Sequence, residues 1–79
     1  MTNNNIREVN TFLKYKKREW LCELRADADM TQEDVANLSS IDRSTYTKAE
    51  LGYPVHIKTA KAIAEVLEFD WTCFYNEEI

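Results

Sequence analysis

The only glycine and the only proline of this 79-residue chain stand two positions apart, at Gly52 and Pro54. These are the strongest local breakers of regular structure, so the rest of the sequence lacks the punctuation that a strand-and-turn fold needs. Apolar residues make up 44% of the chain, enough hydrophobic surface for a compact core, and the reading is an all-α domain. A chain of this length buries only about 60% of the surface its unfolded form exposes, so it is marginal alone and gains from a second copy.

Periodicity places the helices. Ile6, Val9, Leu13, Trp20, Leu21 and Leu24 recur mostly at three- and four-residue steps, the spacing of one helical face, which predicts one long helix or two joined ones from Ile6 to Ala28. Lys14-Tyr15-Lys16-Lys17-Arg18 interrupts that stripe, so any break belongs there, and the run reads either as a phosphate-facing patch or as a solvated helix face. Thr31 is placed to cap a helix that runs to about Leu38, with acids in its first turn suiting the positive end of the dipole. Asp42 is a second cap, ahead of a helix that Gly52 ends in the left-handed conformation. Tyr53-Pro54-Val55-His56 reads as a loop. A fourth helix follows from Ile57 to Leu67, with Ile57, Ala60, Ile63, Ala64 and Leu67 on one side. Asp70 caps a last short helix whose Trp71 and Phe74, with Phe69, suggest an aromatic cluster closing the core.

Two short helices joined by a tight turn, about residues 32–51, have the length and apolar placement of a helix-turn-helix. Val35 and Leu38 are expected inward from its first helix, Ile41 plugs the turn, Tyr46 and Ala49 point inward from its second, and small Ala36 lets the helices approach. Arg43, Ser44, Thr47 and Lys48, with Thr45 beside them, then remain outside. A B-DNA major groove accepts one helix, and polar side chains near its N-terminus reach base edges there, with Arg pairing best with guanine. Arg43 leads that set. Gln32, at the start of the preceding helix, is placed to anchor a phosphate through the helix N-terminus and its own amide.

Met30-Thr31-Gln32-Glu33-Asp34-Val35-Ala36, then Ile41 to Lys48, then Glu50-Leu51-Gly52, together resemble the Cro and cI repressor-like family, also called XRE-type. Thr59 to Leu67 and Phe69 to Phe74 look like its fourth and fifth helices. The likeness spans about residues 19–76. It implies a five-helix lambda-repressor-like DNA-binding domain over 19–79, with residues 1–18 as a helical N-terminal extension. It further implies a homodimer on a near-palindromic operator in double-stranded DNA, contacted from the positions of Gln32, Arg43, Ser44, Thr45, Thr47 and Lys48. The family commonly pairs an Arg of its first helix with a Glu late in the recognition helix, so Arg25 and Glu50 are expected to form a structural salt bridge. Ser40 stands where the family favours a turn glycine, with Ser39 before it, and the loop after the recognition helix is less basic than is usual.

The net charge of −4 is unusual for a DNA binder, but it is unevenly spread. Residues 1–25 carry six Lys or Arg against three acids, whereas residues 62–79 carry five acids and no Lys or Arg. This balance keeps a rival reading open, a protein-interaction module on the same fold such as an antitoxin or antirepressor. Cys22 and Cys73 form no CxxC and are expected to be buried apolar residues. No nucleophile with a base, phosphate loop, metal cluster or cofactor motif suggests catalysis, and His56 is expected to be a loop residue. No segment has the roughly 20 apolar residues of a membrane span or the look of a targeting signal, so a cytoplasmic protein is expected.

Overall fold

The computed structural model describes residues 15–76. Helix α1 spans Glu19–Asp27, α2 Gln32–Ser39, α3 Arg43–Leu51 and α4 Ile57–Leu67, followed by a 3₁₀ helix, Trp71–Tyr75. The expected fifth α-helix is thus a 3₁₀ turn, and the described part of the chain is otherwise all α-helical. Residues 15–18 are not helical, so α1 begins only after the basic run. The helix expected over residues 6–14 lies outside the described residues.

Helix α2 packs on both α3 and α4, α3 on α1, and the 3₁₀ helix on α4. Leu21, Val35, Ala36, Tyr46, Ala49, Ala60, Ile63, Leu67 and Phe74 form the shared core. Trp20, Phe69 and Phe74 close it with ring centroids 5.2 to 5.7 Å apart, the tilted and edge-on spacing that aromatic quadrupoles favour.

Two inward assignments change. Leu38 is 61% exposed, because α2 buries Val35, Ala36 and Ser39, an arc that leaves Leu38 on its flank at about 100° per residue. Ile57 is 54% exposed. It is the first residue of α4, and helical side chains lean toward the N-terminus, where only the loop precedes it.

Local chemistry explains the helix ends. The Thr31 hydroxyl accepts the Asp34 N–H at 3.0 Å while the Asp34 carboxylate accepts the Thr31 N–H at 2.9 Å, a reciprocal capping box at the start of α2. Asp70 caps the 3₁₀ helix by accepting from the Thr72 N–H. Asp42 occupies the cap position of α3, yet its side chain makes no capping hydrogen bond.

All four α-helices finish the same way. Asp29, Ser40, Gly52 and Glu68 take positive φ, and the next residue, Met30, Ile41, Tyr53 or Phe69, donates its N–H to the carbonyl five residues back. This is the Schellman closure, usually built on glycine. Here a single glycine is present and three larger residues fill the other left-handed positions at a cost of roughly 1–2 kcal/mol each.

Replacing Ser40 by glycine should therefore stabilise the domain by about 0.5–1 kcal/mol and raise its melting temperature by roughly 2–8 °C. Gly52→Ala should destabilise it, since a Cβ there would meet the Lys16 carbonyl oxygen at 2.1 Å. Thermal melts followed by circular dichroism check both, and a Ser40→Gly variant less stable than the parent would contradict this account of the turn.

Candidate nucleic-acid interface

Helix α3 is sorted by depth. Tyr46, Ala49 and Glu50 are buried, Thr47 is half-buried, and Arg43, Ser44, Thr45 and Lys48 are exposed. One turn of helix spacing sets Arg43 and Ser44 beside Thr47 on a common face.

Beneath that face lies Glu50, only 3% exposed. Its Oε2 accepts from Arg25 Nε at 2.5 Å and from the Tyr46 hydroxyl at 2.7 Å. Its Oε1 accepts from Gln32 Nε2 at 2.8 Å, Arg25 Nη2 at 3.2 Å and the Cys22 thiol at 3.3 Å. Five donors from α1, α2 and α3 thus meet one carboxylate, with the two Arg25 bonds forming a forked pair. Arg25 also donates to the Met30 carbonyl at 3.1 Å, tying the end of α1 to the entry of α2. Burial works against ionisation of Glu50, but the hydrogen bonds from Arg25, Tyr46, Gln32 and Cys22 outweigh it and bring its pKa down to about 2 from 4.5. The same contacts push the other way on the donors. The Tyr46 hydroxyl is raised by burial and by Glu50, the Cys22 thiol by burial and then by Glu50, and Arg25 first by its bond to Glu50.

The Gln32 amide is engaged inside the domain. Besides donating to Glu50, its Oε1 accepts from the Thr47 hydroxyl at 2.9 Å. The side chain expected to reach a phosphate braces the buried carboxylate against the outer face of α3.

Arg18 is the residue that sequence reasoning missed. It belongs to the run read as a phosphate patch or solvated face, yet it is 7% exposed. Its Nη1 donates to the carbonyls of Ala49 at 2.7 Å and Tyr53 at 2.8 Å, its backbone N–H to the Glu50 carbonyl at 2.8 Å, and its guanidinium lies 5.1 Å from the centre of the Phe74 ring. A cation is thereby fixed at the negative end of the α3 dipole. The neighbouring Tyr15 ring stacks on Tyr53 with centroids 4.5 Å apart, and Lys48 Nζ sits 5.8 Å over the Tyr53 ring. Lys16 and Lys17, between Tyr15 and Arg18 in this strap, are exposed.

The remaining expectations are quickly placed. Cys22 is half-buried and Cys73 is exposed, both as free thiols, so the expected burial of Cys73 does not hold. His56 is exposed at the residue preceding α4. Among the described residues no group of three potential ligands could hold a metal ion, and no helix is long and apolar enough to cross a membrane.

Residues 23–72 match the family model described as helix-turn-helix. The chain is also 39% identical over 61 residues, 76% of its own length and 80% of the relative's, to an uncharacterised HTH-type transcriptional regulator, YqaF, of Bacillus subtilis (strain 168). The chain belongs to the XRE-type helix-turn-helix family. No solved structure matches it. In a helix-turn-helix, α2 and α3 are the paired helices.

Removing the clamp while keeping its apolar stem, by Arg18→Met, should destabilise the domain by about 2–3 kcal/mol, the range for losing a charged donor to buried carbonyls. Urea unfolding measures this, and a loss under about 0.5 kcal/mol, the size of an ordinary surface change, would contradict the structural role of Arg18.

Proposed function

We propose that this regulator is a repressor that binds a near-palindromic operator as a homodimer and reads the major groove with α3. The segregation of α3 carries the reading: every side chain that could reach a base edge is outside, while the charged machinery that holds the helix is inside. In this reading Arg43, at the N-terminal end of α3, pairs with a guanine, and Ser44, Thr45 and Thr47 contact neighbouring base edges or phosphates. Lys48, near the C-terminal end, contacts the backbone. Gln32 acts from behind by holding Thr47. The acids Glu65, Glu68 and Asp70 belong to α4 and the residues just after it, so the negative balance does not fall on α3. Residues 19–79 would form the regulator domain, with the strap from Tyr15 to Arg18 fastened to the end of its reading helix.

Selection from a random duplex pool tests this directly. The expected result is a palindrome with half-sites about 34 Å apart, bound with an affinity that falls steeply with salt. Arg43→Ala should cost about 1–3 kcal/mol on the selected operator and relax the choice of base at one position per half-site. Equal weakening on every sequence would contradict the base-reading role. Salt-insensitive behaviour with no retained duplex would favour the rival interaction module instead.

A further inference from the structure

The hydrogen bonds that hold α3 have a direction, and that direction reaches the surface. Glu50, ion-paired with Arg25, is a carboxylate and can only accept. Gln32 must therefore turn its NH₂ group toward Glu50, at 2.8 Å, which aims its carbonyl oxygen at Thr47. That oxygen cannot donate, so the Thr47 hydroxyl spends its single proton on Gln32 at 2.9 Å. Anything approaching the outer side of Thr47 meets only a lone pair and a methyl group.

Resting on the operator-reading function proposed above, we infer that Thr47 is a specificity residue that accepts a hydrogen bond from a base and does not donate one, its polarity set by Glu50 through Gln32. In the major groove the donors are the N6 amino group of adenine and the N4 amino group of cytosine, whereas guanine and thymine present acceptor oxygens there. Thr47 selects an amino-bearing base and disfavours a carbonyl-bearing one. A threonine with a free hydroxyl rotor would accept either kind of edge, so the discrimination belongs to the relay and not to the residue type. Gln32 is the positioning residue.

The test compares the parent chain with Thr47→Val, which keeps the methyl and removes the oxygen, Thr47→Ser, which keeps the hydroxyl, and Gln32→Met, which frees the hydroxyl proton. Each is used to select sites from a random duplex pool. The expected result is one base pair per half-site that the parent and Thr47→Ser fix in a single orientation, with the amino group of its adenine or cytosine on the strand facing Thr47, that Thr47→Val leaves unselected, and that Gln32→Met accepts in either orientation. With the parent, replacing that base by purine or 2-pyrimidinone, which lack the amino group, should weaken binding about tenfold, the worth of one hydrogen bond, and should leave Thr47→Val unchanged. Identical sites for the parent and Thr47→Val, or parent binding that is unchanged when the amino group is removed from the pair that Thr47→Val relaxes, would overturn the inference while leaving operator reading intact. A parent chain that selects no duplex would overturn both.

Discussion

One buried carboxylate organises this domain. Glu50 lies where α1, α2 and α3 converge and accepts hydrogen bonds from all three. Buried ion pairs seldom add much net stability, because desolvating the charges offsets their attraction. Their value is geometric. Removing Glu50 would leave a guanidinium, an amide, a phenol and a thiol competing for water that the core excludes, so these helices have one low-energy arrangement rather than several. That arrangement turns the opposite side of α3 outward.

The ends of the helices complete the constraint. Arg18 fixes the C-terminal end of α3 through two carbonyls, and the Lys16 backbone crosses Gly52 so closely that only glycine fits. At the other end of the motif, the left-handed Ser40 brings Ile41 against the core. Helix α3 is thus held from within by a carboxylate, from its end by a cation and from its entry by a turn. A surface set this firmly suits recognition, since little conformational freedom is left to lose on binding.

Much of this was legible in the sequence because it depends on periodicity and on caps. The inward Tyr46 and Ala49 follow from spacing, and the boundaries of the helix-turn-helix, with the Thr31 cap and the Gly52 stop, from the chemistry of the residues at the helix ends. The Arg25 and Glu50 contact came from family resemblance and not from spacing, since 25 residues separate them. Leu38 and Ile57 misled because a three- or four-residue step admits two neighbouring faces, and only tertiary packing chooses between them. The three left-handed caps at Asp29, Ser40 and Glu68 carry no glycine to mark them, although each is followed by an apolar residue that packs on the core. Arg18 was hidden in a basic run whose other members described here are exposed or stacked on the surface. Its burial requires carbonyls from residues more than thirty positions away, which no local pattern discloses. The same distance hid the role of Gln32, whose partners lie 15 and 18 positions further along.

The ionised state of Glu50 is what gives the hydrogen bonds of Gln32 and Thr47 their direction, and a carbon-detected NMR titration of its side-chain carboxyl measures it most directly. The folded pKa of about 2 lies below the ordinary 4.5, so the stability that Glu50 contributes is complete above pH 4.5 and is lost as pH falls toward 2. A titration midpoint near 2, with the resonances of Gln32 and Thr47 shifting in the same step, is the predicted result. A midpoint near 4.5, with Gln32 and Thr47 unmoved as Glu50 takes up its proton, would contradict the account.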